Sequence, residues 1–114
     1  MPREITMLSP TEHDLQALAD AAEGVGRASE VREIDGGAAL QVVTPDGVTL
    51  LTVYRPRLIS TPGEVERLLP SAPAVQVPVW WTDAVAPLDA EGETGVSIAL
   101  RLALRRDAVC LVED

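Results

Sequence analysis

The stretch that sets the fold class is Ala38-Ala39-Leu40-Gln41-Val42-Val43-Thr44-Pro45-Asp46-Gly47-Val48-Thr49-Leu50-Leu51-Thr52-Val53-Tyr54. Two runs rich in Val, Leu and Thr flank Thr44-Pro45-Asp46-Gly47. Proline presets the first turn angle, and glycine accepts the positive φ of a hairpin bulge. Residues 38–43 and 48–54 therefore read as an antiparallel hairpin. Upstream, 30–35 reads as a weaker strand, and Asp35-Gly36-Gly37 as the tight turn that joins it, giving a three-strand meander. Pairing Val43 with Val48 puts Leu40, Val42, Leu51 and Val53 on one face. The other face then carries Val43, Val48, Leu50 and Tyr54 with Gln41 and Thr52, which is apolar for a surface that meets water. Helices on both faces, or a second chain, would have to cover it.

Outward from the meander, Ser9-Pro10-Thr11-Glu12 has the form of a capping box with proline at the first helical position. Leu15, Leu18, Ala19 and Ala22 follow at helical spacing and Gly24 offers a stop, so the spacing predicts a helix over 10–23. Asp14, Asp20 and Glu23 would make its outer face acidic. Thr61-Pro62-Gly63-Glu64 repeats the start signal, predicting a short helix with Val65, Leu68 and Leu69 inward that ends before Pro70. Val75, Val77, Val79 and Trp81 alternate with Gln76, Pro78 and Trp80, the pattern of a strand. Pro78 predicts that this strand lies at a sheet edge or a bulge. Residues 86–94 read as a polar, acidic loop. Residues 95–106 read as a helix whose narrow polar stripe is Ser97, Arg101 and Arg105, hence one buried on most sides. Strands at 4–8 and 108–112 complete the order β-α-β-β-β-α-β-α-β. The expected architecture is a single α+β domain over 1–114, with a central antiparallel meander packed by helices.

The chain has 114 residues, 18 acidic and 9 basic, for a formal charge of −9. Every basic residue is arginine, and lysine, phenylalanine and asparagine are absent. Without lysine there is no P-loop, no Schiff-base lysine and no kinase strand lysine. The missing types share codons rich in A and T, which points to a genome of high G+C content, such as that of an actinobacterium. A surface this negative repels phosphate backbones and anionic membranes and steers basic partners. With 46% hydrophobic residues the chain can bury a core, so disorder over most of its length is excluded. The lone Cys110 cannot form an internal disulfide. The first ten residues lack the apolar region of a signal peptide, and no apolar run approaches a membrane span, so a cytoplasmic location is expected.

Chemistry-bearing constellations are sparse. His13, the only histidine, lies between Glu12 and Asp14 and reads as an exposed helix residue, because no nucleophile elbow accompanies it. One His and one Cys far apart do not make a metal site, and Gly24-x-Gly26 lacks the third glycine of a dinucleotide fingerprint. No catalytic residue, metal or cofactor is expected. Cys110, among small aliphatics, reads as a buried and inert thiol. The candidate partner-binding residues are Trp80, sent by alternation to the face opposite Trp81, with Asp83, Tyr54, Arg55 and Arg57. An outward tryptophan is a natural interface anchor, and two arginines two apart can clamp a carboxylate.

In its order of elements and its charge the chain resembles small acidic actinobacterial proteins of the secretion-chaperone (YbjN-like) and immunity-protein kinds. Its leading strand departs from the helix-first order usual in such chaperones. The resemblance implies a non-enzymatic module that binds a protein partner, here a basic one, or that forms a homodimer. The competing expectation is a small-ligand or catalytic pocket near Arg55, Arg57, Trp80 and Asp83.

Overall fold

The structure is a computed structural model, and it describes residues 2–12, 14–23, 25, 30–105 and 107–113. Its strands are β1 (Arg3–Ser9), β2 (Glu30–Ile34), β3 (Ala39–Val43), β4 (Thr49–Tyr54), β5 (Arg57–Ile59), β6 (Val79–Ala86) and β7 (Val109–Glu113). Its helices are α1 (Leu15–Glu23), α2 (Glu64–Leu68) and α3 (Ala90–Arg105). The α+β domain is built on one seven-stranded antiparallel sheet in the order β2-β3-β4-β6-β1-β7, with β5 also paired to β6. No helix among the described residues is long and apolar enough to cross a membrane.

The meander β2-β3-β4 forms as its turns dictate, although it occupies one end of the sheet rather than the middle. Gly47 has φ 86° and its N–H donates to the Thr44 carbonyl at 3.0 Å, while the Thr44 N–H donates to Val48 at 2.9 Å. The Thr44 hydroxyl accepts the Val48 N–H at 3.0 Å, locking the turn from within. One register differs from the expected pairing. Val42 faces Leu51 but Val43 faces Thr49, leaving Leu50 as the extra residue of a β-bulge. A bulge turns both neighbouring side chains the same way, so Leu50 joins Leu51 in the helix-covered core.

That core contains Ile5, Met7, Leu18, Val42, Leu51, Val53, Ile98 and Leu102, between one face of the sheet and the pair α1 and α3. A smaller core on the other face gathers Leu8, Val65, Val79 and Trp81 under α2 and the segment 69–77. Between the two, the second face is bridged by polar side chains. Arg32 Nη2 donates to Gln41 Oε1 at 3.2 Å, and Gln41 Nε2 donates to Thr52 Oγ1 at 3.3 Å. This ladder, with Leu50 withdrawn, makes the second face less apolar than the hairpin suggested.

The helices start where tertiary pairing lets them. Ser9 pairs with Trp80 in the sheet, so its backbone cannot cap a helix. Its hydroxyl accepts the Thr11 N–H instead. The cap of α1 is Asp14, whose Oδ1 accepts the Ala17 N–H at 2.8 Å. The buried stripe is Ala17, Leu18, Ala21 and Ala22, with Leu15 exposed. Gly24 and His13 lie outside the described residues. α2 is capped by Gly63 at φ 85° rather than by Thr61, and it buries Val65 while Leu68 stays exposed. Of the loop expected over 86–94, only 87–89 is irregular, since Ala86 ends β6 and 90–94 is helical. Asp89 Oδ1 accepts the N–H groups of Glu91 and Gly92 at 3.0 and 3.3 Å, so α3 begins at Ala90.

Candidate functional site

The five contact residues expected from the sequence do not converge. Trp80 and Trp81 do point to opposite faces, and Trp81 is buried with Val79 in the smaller core. The strand that carries them is central, however, paired to β1 on one side and to β4 and β5 on the other. The edge expected from Pro78 is therefore overturned. The proline precedes β6 instead of lying in it, so it removes no ladder hydrogen bond. Trp80 is half-buried next to exposed Leu58.

Arg57 and Asp83 do meet, with Trp81 in place of Trp80. Trp81 Nε1 donates to Asp83 Oδ1 at 2.9 Å. The Arg57 guanidinium lies 5.6 Å from the Trp81 ring centroid and 3.6 Å from Asp83 Oδ2. The cation and the indole share one carboxylate, which keeps the ring in its place under β5. Arg55, on the other face, donates to the Gly37 carbonyl at 3.2 Å and ties the 35–38 turn to the end of β4. With Tyr54, Pro56, Leu18, Leu40 and Leu102 it borders a cleft of about 210 Å³. The expected pocket shared by Arg55, Arg57, Trp80 and Asp83 is thus divided between two faces.

The surface that the sequence reading missed lies at the β7 end. Strand order leaves three outer edges. β2 carries Glu30, Arg32 and Glu33, and β5 has three residues after Pro56. Charge and shortness both discourage pairing with another chain. β7 reads Val109-Cys110-Leu111-Val112-Glu113, without a charge over four residues, and among the described residues nothing pairs with its outer side.

Both faces beside β7 are apolar. On one lies α3, whose flanks follow from 100° per residue. Arg101 Nε donates to the Ala21 carbonyl at 3.1 Å, so its flank turns toward α1. Val96 and Leu100 lie on the flank turned away from α1, whereas Leu104, three residues from Arg101 and so beside it on the wheel, points outward and is 80% exposed. The expectation that α3 is buried on most sides fails there. On the other face a groove of about 430 Å³ runs beside Val109, lined by Leu8, Val75, Val77, Val79 and Asp107. Alternation was enough to find the strand. What it could not report is which strands are terminal in the sheet.

Cys110, on this strand, packs against the larger core, and burial pushes its thiol pKa up. The thiol is half-buried, where the sequence led to the expectation of full burial. Comparison with known proteins gives no matching family model, no significantly similar curated protein and no significantly similar solved structure.

Proposed function

We propose that this chain is a non-enzymatic protein-interaction module of the chaperone or immunity kind, and that it engages its partner through the β7 side of the domain. The observation that carries this reading is the coincidence of an uncharged outer strand, with Val112 exposed on it, and an exposed Leu100–Leu104 pair on the outer side of α3. Isolated exposed leucines are ordinary, but an apolar flank along an unpaired strand is the form of an interaction site. The formal charge of −9 favours a basic partner and speeds its approach at low salt. The cleft below Arg55 is smaller than the roughly 300–1,000 Å³ of pockets that enclose a small ligand. That counts against the ligand pocket expected beside Arg55.

The test uses Leu100→Glu with Leu104→Glu, two exposed positions where charge does not disturb packing. The wild-type chain, used as bait in extract of its own host, should retain a stoichiometric partner that the double variant loses, with the same circular dichroism spectrum in both. Equal retention by the two baits would overturn the reading.

A further inference from the structure

We infer that the partner contributes an extended segment that adds to β7 as a further antiparallel strand, with apolar residues along it and one arginine or lysine at the end that meets Glu113. This inference rests on the reading that the β7 side is the contact surface, and it names the chemistry of what binds there.

Three independent features specify the segment. The outer backbone of β7 needs donors and acceptors in register, which an extended chain supplies and a helix does not. The two faces differ along the strand. Opposite Val109, a side chain enters the groove lined by Leu8, Val77 and Val79; opposite Cys110 and Val112, which pair with Met7 and Ile5, it lies on the face of the sheet that α3 covers. At the far end Glu113 stands directly across from Glu4 on the same face, and both are exposed. Neither is paired with a cation among the described residues. Like charges directly opposite one another destabilise a ladder, so a cation on the next strand relieves them.

A second copy of β7 meets these requirements poorly. An antiparallel strand must keep its alternate residues on the same faces as β7 does. Pairing two β7 strands about Leu111 sets Glu113 of each against Val109 of the other, beside Asp107 at the groove. That adds acid to acid and brings no cation to Glu4. The charge pattern therefore selects a different chain with a basic residue, followed by four apolar positions in the antiparallel direction.

The probe is a synthetic peptide, Arg-Val-Val-Val-Leu between Gly-Ser tails, with one counterpart carrying Glu for Arg and another carrying Pro for the middle Val. Amide shifts of the 15N-labelled chain and fluorescence anisotropy report site and affinity. The Arg peptide should shift residues 109–113 most strongly, and the Pro peptide should not bind. The Glu peptide should bind roughly two- to fivefold more weakly at low salt. Glu4→Gln with Glu113→Gln should erase the advantage of arginine while leaving the β7 shifts in place. Equal affinity of the Arg and Glu peptides would overturn the basic-segment inference and leave the contact surface standing. Absence of β7 shifts with every peptide would count against strand addition. If a partner is nevertheless captured through Leu100 and Leu104, only the strand mode fails; if neither occurs, the contact surface fails too. A concentration-dependent dimer mass with shifts confined to β7 would assign the edge to a second copy and overturn the inference.

Discussion

At one end of the sheet, β2 sets Glu30, Arg32 and Glu33 along five residues, and α1 lies alongside it. At the other end, β7 runs for the same length with its first four residues uncharged, and the outer side of α3 exposes Leu100 and Leu104. Both strands have an unpaired outer side among the described residues. The first is finished as a protein finishes an edge that should meet only water. The second is finished like an interior. Helix α3 shows the contrast across its own width: one side closes onto the sheet and α1, and the other leaves Leu100 and Leu104 exposed.

The largest effects are expected at the closed side of α3. A Cβ on Gly95 would sit 1.9 Å from the Leu50 carbonyl oxygen, in contact with backbone that cannot move aside cheaply. Gly95→Ala should cost about 3 kcal/mol or more in a urea titration. A loss under about 1 kcal/mol would mean that α3 is not clamped to the β4 bulge as described. Two further substitutions sharpen the contrast within one turn. Leu102 is fully buried, so Leu102→Ala should cost about 3 kcal/mol. Leu104→Ala should change stability by about 0.5 kcal/mol or less. Similar losses at both positions would show that the open flank is covered in the free chain.

Smaller effects probe the middle of the sheet and its open end. The Thr82 hydroxyl is buried without a hydrogen-bond partner among the described residues. Thr82→Val keeps the shape and removes the desolvated group, so it should stabilise the fold by about 1 kcal/mol. Cys110 gives the smallest effect. Burial raises its pKa above the ordinary 9.0. The group therefore favours folding fully below the pKa of the unfolded thiol, and that contribution fades as pH rises toward the folded value. Cys110→Ser should flatten the fall in stability above about pH 9. An unchanged alkaline profile would remove the thiol as its cause.

Legibility in the sequence followed the range of the interactions involved. The Thr44–Val48 turn was readable because its proline, glycine and hydroxyl act on their own neighbours. The opposite orientations of Trp80 and Trp81 were readable because alternation is a property of a single strand. The start of α1 was not, since Ser9 has the chemistry of a cap but is claimed by pairing with Trp80. The start of α3 carried a usable signal, Asp89 two residues after Pro87, hidden within an acidic stretch that resembled a loop. Of the contact residues, Arg57 and Asp83 were brought together, but around Trp81. The β7 surface could not be found by scanning for aromatic or charged anchors, because its distinguishing property is the absence of a neighbour.

By itself, the sequence determined the types and order of most elements, the hairpin turn, the acidic charge and the absence of lysine chemistry. All of these depend on residue identity or on contacts a few positions apart. Tertiary structure alone decided that the tryptophan strand is central, that Leu50 bulges into the core, that α3 turns leucines outward and that β7 ends the sheet. Strand order is set by which distant apolar faces bury one another, a property of pairs of segments rather than of any one of them. An edge exists only once that order is complete.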